Sequence, residues 1–390
     1  MQKCITIRKE KQKVKYFNNA GAGLMSDKTF NTIVKHMQEE RTVGAIKAAN
    51  DKKAETEDFY SIAAKLLNAD KSEIAFIDSA SRGWNLITYG MTVNENSTII
   101  TLESEYGTNL LTIRDIVDKT KCNLIIIKCD ISGHFSMNDI EAALKNSNPI
   151  LAVSHVAAQG SIINPVEELG ELAQKYSALY IVDGCQAVGQ FAVDVKKIQC
   201  HAYMTAGRKW LRGPRGTGIL YVKKDKRLRT PIIDLASADL VFDDNHKAIG
   251  LTIRPDARQY ELWEKNTANV LGLRSAIYEY LDFGVEKASS IISKKANQIR
   301  SAIVQNNKLQ LVGDTVSLSG TSAFYLKNPV EEEKVKALFE QCGFTISCVC
   351  DWDCPIFFPQ NGASYIFRIS VHYYTDQDDI IEMCDLINHI

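Results

Sequence analysis

Short apolar runs alternate with stretches of helical periodicity in the first half of the chain, and this alternation constrains the fold most. The apolar runs are bounded by polar residues and occupy residues 74–77, 98–102, 124–127, 150–153 and 179–182. Stretches with helical spacing of apolar residues separate them, at residues 83–89, 110–118, 137–144 and 166–175. Apolar strands that alternate with helices are typical of a mostly parallel sheet covered by helices on both faces.

The pattern changes near residue 285, which indicates a second, smaller unit. Upstream of that point, helices are predicted at residues 25–50, 57–67 and 270–283, and a further strand at residues 218–222. Downstream, strand-like runs at residues 309–312, 322–326 and 366–371 accompany helices at residues 330–341 and 377–387. We therefore expect an α/β fold with a large domain, residues 16–284, and a small α/β C-terminal domain, residues 285–390 with the N-terminal segment 1–15.

Charge and cysteine content exclude several classes of partner. The formal net charge of −1 gives no support for a nucleic-acid or anionic-membrane partner. No stretch is long and apolar enough to span a bilayer, and residues 1–15 contain no apolar run that resembles a signal peptide, so a cytoplasmic protein is expected. The ten cysteines are scattered, and the cluster Cys348, Cys350 and Cys354 lacks the spacing and the nearby histidines of a zinc site. No metal site is predicted.

Lys209 is the strongest candidate for chemistry. It lies in the run GRKWLRGP, residues 207–214, downstream of Asp183, which ends the apolar run 179–182. A solvated lysine in a basic loop is the plain alternative. Burial and the neighbouring arginines should lower the pKa of the lysine and favour the neutral, nucleophilic amine. A lysine and a strand-end aspartate in this order suggest pyridoxal phosphate, because the lysine can bind the aldehyde while the carboxylate keeps the pyridine nitrogen protonated.

With these residues, the chain resembles the class V aminotransferase family of fold-type I pyridoxal-phosphate enzymes. The resemblance extends from YFNNAG, residues 16–21, to FRISVHYY, residues 367–374. The family includes cysteine desulfurases, kynureninase, isopenicillin N epimerase and the C–S lyase of ergothioneine synthesis. The run around Lys209 is most similar to the epimerase and C–S lyase branch, since desulfurases typically carry His where this chain has Arg208.

The resemblance implies a set of cofactor contacts. A phosphate cradle is expected where an apolar run meets a helix, because helix N-termini bind anions. Tyr106 would stack on the ring face, Asp183 would pair with the ring nitrogen, and Gln159 and Gln186 would reach the phenolic oxygen. The full predicted cofactor set is Ser79, Ala80, Ser81, Arg82, Tyr106, Gln159, Asp183, Gln186, Thr205, Arg208, Lys209 and Thr267.

The resemblance also implies a substrate and a partner. Arg368 would bind the α-carboxylate of a small amino acid, since guanidinium pairs with carboxylate in a bidentate manner, and Asn19 would assist. Thr267 is similar to a residue that crosses a dimer interface and touches the neighbour's phosphate. A homodimer with composite sites is therefore expected.

The residues leave the reaction open. C–S cleavage of a cysteine-like substrate needs no further nucleophile, and it is the hypothesis that the run around Lys209 favours. A class V aminotransferase or an epimerase is compatible with the same cofactor residues. A cysteine desulfurase would need a nucleophilic cysteine before Arg368, but nearby acids should raise the thiol pKa values of the cluster, although Cys354 stays a candidate. A homologue that binds without catalysis would be expected to lack Lys209 or Asp183.

Overall fold

The computed structural model describes residues 14–390, so residues 1–13 of the predicted N-terminal segment lie outside the described residues. The strands in chain order are β1 (Lys15–Tyr16), β2 (Ile74–Ile77), β3 (Thr98–Leu102), β4 (Asn123–Ile127), β5 (Pro149–Ser154), β6 (Leu179–Asp183), β7 (Ala202–Ala206), β8 (Gly218–Val222), β9 (Ala238–Phe242), β10 (Ala248–Ile253), β11 (Leu309–Leu311), β12 (Thr321–Leu326), β13 (Phe344–Thr345), β14 (Ser347–Val349) and β15 (Ile366–Ser370).

The helices separate these strands. In chain order they are α1 (Asp27–Val43), α2 (Ala45–Asp51), α3 (Lys53–Leu67), α4 (Ala80–Tyr89), α5 (Gly107–Thr120), α6 (Met137–Leu144), α7 (Val166–Lys175), α8 (Val195–Ile198), α9 (Thr267–Phe283), α10 (Val285–Gln305), α11 (Glu332–Gln341) and α12 (Gln377–Asn388). Short 3₁₀ helices occur at Lys71–Glu73, Ala257–Tyr260 and Pro329–Glu331.

A seven-stranded sheet forms the centre of the larger part, in the order β2-β8-β7-β6-β5-β3-β4. Neighbouring strands from β7 to β4 are parallel, whereas β8 is antiparallel to both β2 and β7. Successive residues of a strand pack on opposite faces: Tyr180 and Val182 of β6 belong to one apolar cluster, and Leu179 and Ile181 belong to the other. This alternation buries both faces of the sheet and confirms the predicted mostly parallel α/β fold.

The C-terminal part has its own sheet and its own core. Strands β11, β12, β15 and β14 form an antiparallel sheet in that order. Helices α10 and α12 pack on it, and the core contains Phe324, Phe339 and Phe367, which are fully buried. Strand β1 pairs in parallel with β13, so the start of the described chain joins this part. The exact domain boundaries stay a prediction.

Several elements differ from the sequence-based expectation. The helix expected over residues 25–50 is broken at Gly44, whose φ of +88 favours glycine and separates α1 from α2. Strands β7 and β14 were not predicted. Strands β9 and β10, which pair as an antiparallel hairpin, were not predicted either. No helix in the part of the chain that the structure describes is long and apolar enough to cross a membrane.

Candidate active site

One cavity opens at the carboxyl edge of the large sheet. Parallel strands bring their carboxyl ends to the same edge, and antiparallel β8 begins there. The loops that follow β2, β3, β5, β6 and β7 therefore converge. The cavity is lined by Asp78, Ser79, Ala80, Ser81, Tyr106, Asn109, Ser154, Val156, Ala158, Asp183, Cys185, Gln186, Ala206, Arg208, Lys209, Arg215, Gly216 and Thr217.

The loop that carries Lys209 is closed by its own backbone. The amide of Gly207 donates to the carbonyl of Thr217 (2.9 Å), and the amide of Gly213 donates to the carbonyl of Gly207 (2.8 Å). The N-terminal segment packs against this loop, because the amide of Gly23 donates to the carbonyl of Arg208 (2.8 Å). A Cβ atom at Gly23 would lie 2.5 Å from the Lys209 carbonyl oxygen, so this approach requires glycine.

The surroundings of Lys209 favour its neutral amine. Burial lowers the pKa of Lys209, while Cys185 and Asp183 oppose the decrease, and Arg208 and Arg368 contribute to it. This direction agrees with the expectation from the sequence. The side chain is half-buried and lines the cavity. A neutral amine at this position can attack an aldehyde and can later accept a proton.

Asp183 ends strand β6 and is 7 % exposed. Its Oδ1 accepts a hydrogen bond from the backbone amide of Cys185 (2.9 Å), and its Oδ2 accepts one from the Asn109 side-chain amide (2.9 Å). Both oxygens are therefore held, and the carboxylate faces the same cavity as Lys209. The structure brings together the two residues on which the cofactor hypothesis depends.

The predicted phosphate cradle lies at the start of α4. Ser79 is the N-cap residue, and its hydroxyl accepts a hydrogen bond from the backbone amide of Arg82 (3.2 Å). Ser79, Ala80 and Ser81 line the cavity, so the N-terminus of the helix points toward it. Arg82 does not line the cavity, and its Nε lies 3.9 Å from Oδ2 of Asp78.

Some of the remaining predicted cofactor contacts line the cavity and others do not. Tyr106 and Gln186 line the cavity, but the Gln186 amide is engaged by Trp210 Nε1 (2.8 Å) and by the carbonyl of Ala20 (3.1 Å). Gln159 and Thr205 lie behind the wall and are fully buried. Gln159 Nε2 donates to the carbonyl of Ser104 (3.2 Å).

Neither predicted substrate residue lines the cavity: Arg368 belongs to the C-terminal sheet and Asn19 to the N-terminal segment. Arg368 of β15 donates from Nη1 to the carbonyl of Ala158 (2.7 Å), a residue of the cavity wall. Burial lowers the pKa of Arg368, while Asp353 opposes the decrease. Asn19 is buried, and its Nδ2 donates to the carbonyl of Ser370 (2.6 Å) while its Oδ1 accepts from the Tyr374 hydroxyl.

Of the last two predicted cofactor contacts, Arg208 and Thr267, only Arg208 lines the cavity. Arg208 lines the cavity and donates to the carbonyl of Gly21. Thr267 is the first residue of α9 and does not line the cavity of its own chain. The start of α9 still reaches the rim, because Asn269 Nδ2 donates to the carbonyl of Arg215 (3.1 Å).

Sequence reasoning missed two residues that contact Asp183. Cys185 follows Asp183 by two positions and lines the cavity, and burial raises the pKa of its thiol well above the ordinary value. Asn109 lies in the first turn of α5, three residues after Tyr106. A side chain in the first turn of a helix that follows a strand can reach back to the sheet edge, and this spacing is the signal that could have found Asn109.

The side chains present fit pyridoxal phosphate. Asp183 and Lys209 face one cavity that ends at a helix N-terminus, which suits a ring nitrogen, an aldehyde and a phosphate. Buried polar atoms beside it have no partner among the described residues, namely Gln159 Oε1, Thr205 Oγ1 and Arg368 Nε.

The Aminotransferase class-V family model matches residues 15–383. A probable cysteine desulfurase of Pyrococcus abyssi is 29 % identical over 236 residues, which is 59 % of this chain and 57 % of that protein. A probable cysteine desulfurase of Methanothermobacter thermautotrophicus is 23 % identical over 321 residues, 81 % of this chain and 79 % of that protein. The match with the first relative thus spans little more than half of that relative.

Solved structures share the fold. The apo cysteine desulfurase of Thermococcus onnurineus has a TM-score of 0.87 at 20 % identity and covers 96 % of this chain and 94 % of its own. A cystine C–S lyase in complex with cysteine persulfide has a TM-score of 0.81 at 16 % identity and covers 96 % of this chain and 97 % of its own. These likenesses confirm the predicted fold class. The chain therefore belongs to the class V aminotransferase family, as the resemblance implied, and it is a pyridoxal-phosphate-dependent enzyme.

Proposed function

We propose that this enzyme cleaves the C–S bond of a cysteine-like amino acid. The observation that carries the proposal is the placement of Lys209 and Asp183 on one cavity whose wall is hydrogen-bonded to Arg368. The relatives named above as cysteine desulfurases, and the neighbour in complex with cysteine persulfide, support sulfur chemistry at this site. Bound pyridoxal phosphate supplies an electron sink for a carbanion at the substrate Cα.

Each residue has one task in this proposal. Lys209 would hold the cofactor through its amine and would serve as the base for the Cα proton, because its lowered pKa favours a neutral amine. Asp183 holds a positive charge on the ring nitrogen, and Tyr106 covers one face of the ring. Arg368, whose guanidinium is hydrogen-bonded to the cavity-wall residue Ala158, binds the α-carboxylate. The phosphate binds at the start of α4.

The lyase form of this reaction is favoured over the desulfurase form by the state of Cys354. This thiol is fully buried and packs in an apolar cluster with Val312, Val349 and Ile366. Its pKa is raised to about 12, mainly by burial and also by nearby acids such as Asp353. A protonated, enclosed thiol is a poor sulfur acceptor. The segment before it is anchored beside the site, where the amide of Gly107 donates to the Asp353 carbonyl (2.8 Å).

Product analysis separates the reactions. In β-elimination the Cα–H and Cβ–S bonds break, the thiol leaves, and addition of water releases pyruvate and ammonia. We expect pyruvate and ammonia in equal amounts from cysteine or an S-substituted cysteine. Cys354→Ala should retain at least about half of this activity, because the elimination needs no acceptor thiol.

Cys350→Ala is the matched control, since Cys350 lies on the same segment. A desulfurase would give a different result. Its products would be alanine with sulfide or persulfide, and Cys354→Ala would lose turnover while Cys350→Ala would not. A keto acid that retains the sulfur, with the amino group left on the cofactor, would instead establish an aminotransferase, and loss of the optical activity of the substrate an epimerase.

We also propose a homodimer, on two observations. Thr267 does not line its own cavity, which leaves it available to a second site across an interface. The hairpin β9–β10 exposes apolar side chains, with Leu240 at 63 %, Phe242 at 50 % and Ile249 at 61 % exposure. Exposed apolar patches of this kind mark protein interfaces.

We also propose a cytoplasmic location. The cysteines of residues 14–390 are free thiols. Free thiols in a protein with many cysteines are typical of a reducing compartment. The free thiols therefore support a cytoplasmic location.

A further inference from the structure

Glu105 is a buried carboxylate that the proposed chemistry does not use. It lies between strand β3 and helix α5 and is 1 % exposed. Its Oε1 accepts hydrogen bonds from Asn109 Nδ2 (2.9 Å), from the backbone amide of Tyr106 (2.9 Å) and from the Ser154 hydroxyl. Its Oε2 accepts one from the backbone amide of Ser154 (2.7 Å). Four donors, from Tyr106, from Asn109 of α5 and twice from Ser154 at the end of β5, thus converge on one carboxylate.

Asn109 connects this carboxylate to the cofactor site. Its Nδ2 donates both to Glu105 Oε1 (2.9 Å) and to Asp183 Oδ2 (2.9 Å). An amide NH₂ group has two hydrogens, so these two carboxylates use both of them. If the amide were turned over, its oxygen would face two acceptors. Ionised Glu105 therefore maintains the orientation in which Asn109 donates to Asp183.

The surroundings of Glu105 shift the pKa of its carboxyl group. Burial raises the pKa of Glu105 to about 7, and the charge of Asp183 adds to the increase. Hydrogen bonds from Ser154 and Asn109 oppose it and stabilise the ionised form. Two carboxylates that share one amide donor are thus held close together.

We propose that Glu105 is a positioning residue that acts through Asn109 to orient Asp183 toward the ring nitrogen of the bound cofactor. The same carboxylate holds the backbone of Tyr106, the predicted stacking residue, and the end of β5 at Ser154. One group therefore aligns the elements that would meet the edge and the face of the ring. The inference depends on the cofactor and not on which bond of the substrate breaks.

The charge on the ring nitrogen provides the readout. A protonated ring nitrogen disfavours a second proton on the nearby nitrogen that links Lys209 to the cofactor, because like charges repel. If Asp183 loses its alignment, the ring nitrogen is protonated less often. The apparent pKa of the visible absorbance of the lysine-linked cofactor should then rise.

The experiment is a pH titration of that absorbance in reconstituted enzyme. Glu105→Gln and Asn109→Ala should each raise the apparent pKa by about 0.5 unit or more. The double variant should show no larger increase than either single variant, because both changes break the same connection. We also expect kcat to fall about tenfold with little change in KM, since Asp183 alignment affects the chemical step.

Glu103→Gln is the matched control. Glu103 lies two residues away and its Oε2 accepts from the backbone amide of Cys129 (2.8 Å), with no contact to Asn109 or Asp183 in the described residues. If Glu105→Gln and Asn109→Ala titrate like Glu103→Gln and only lower thermal stability, Glu105 is merely structural and the inference is wrong. If Glu105→Gln does not fold, Asn109→Ala decides, because Asn109 is the link. Absence of C–S cleavage in the wild type would refute the proposed reaction and leave the titration valid.

Discussion

Lys209→Ala is expected to abolish both the visible absorbance of the lysine-linked cofactor and the turnover of substrate. The variant has no amine to bind the aldehyde and no base beside the substrate Cα, so kcat should fall on the order of 10⁴-fold. The absorbance spectrum of reconstituted protein and an assay of pyruvate release measure the two effects separately. The fold should persist, because the loop is closed by backbone hydrogen bonds of Gly207 and Gly213 and not by the lysine side chain.

Lys223→Ala serves as the control for this experiment. Lys223 directly follows strand β8, is exposed and does not line the cavity. The control should keep the spectrum and the turnover of the wild type. A Lys209→Ala protein that retains a lysine-linked spectrum would assign the cofactor to a different lysine and would remove the basis of the proposed site.

Arg368→Lys is expected to raise KM about 100-fold with a smaller change in kcat. The guanidinium is fixed by Nη1 to the Ala158 carbonyl (2.7 Å) and by Nη2 to the Ser347 hydroxyl (3.3 Å). Lysine keeps the charge but cannot make these contacts and a bidentate pair together. Steady-state kinetics with an amino acid and with its decarboxylated amine measure the loss.

The matched change is Arg254→Lys, because Arg254 pairs with Asp256 away from the cavity. This control should leave KM unchanged. Arg368→Lys should also reduce the preference for the amino acid over the amine. If that preference is the same in the variant and the wild type, Arg368 does not bind the α-carboxylate.

Much of the fold could be predicted because buried parallel strands leave a simple pattern. Apolar runs such as residues 98–102 and 179–182 correspond to β3 and β6 as found. Strand β7 was not predicted, although the whole strand is buried. The hairpin β9–β10 was missed because its residues are largely exposed, so no buried face imposes an alternation of apolar and polar residues.

The sequence was sufficient to predict which loops line the cavity. Lys209, Asp183, Tyr106 and Ser79 follow different strands, and the parallel sheet brings their loops to one edge. The contact of Asn109 with Asp183 joins residues 74 positions apart, and its geometry depends on how α5 sits on the sheet. The spacing after Tyr106 could have placed Asn109 near the sheet edge, but the local sequence does not identify Asp183 as its partner. The role expected for Thr267 depends on a second chain and stays a prediction.

Borohydride reduction followed by peptide mass mapping tests the central claim most directly. Reduction converts the link between the lysine and the cofactor into a stable amine, so the modified residue can be identified by mass. The account predicts one modified peptide, which contains Lys209 and lacks cleavage at that lysine. No adduct after reconstitution, or an adduct confined to another lysine, would contradict it.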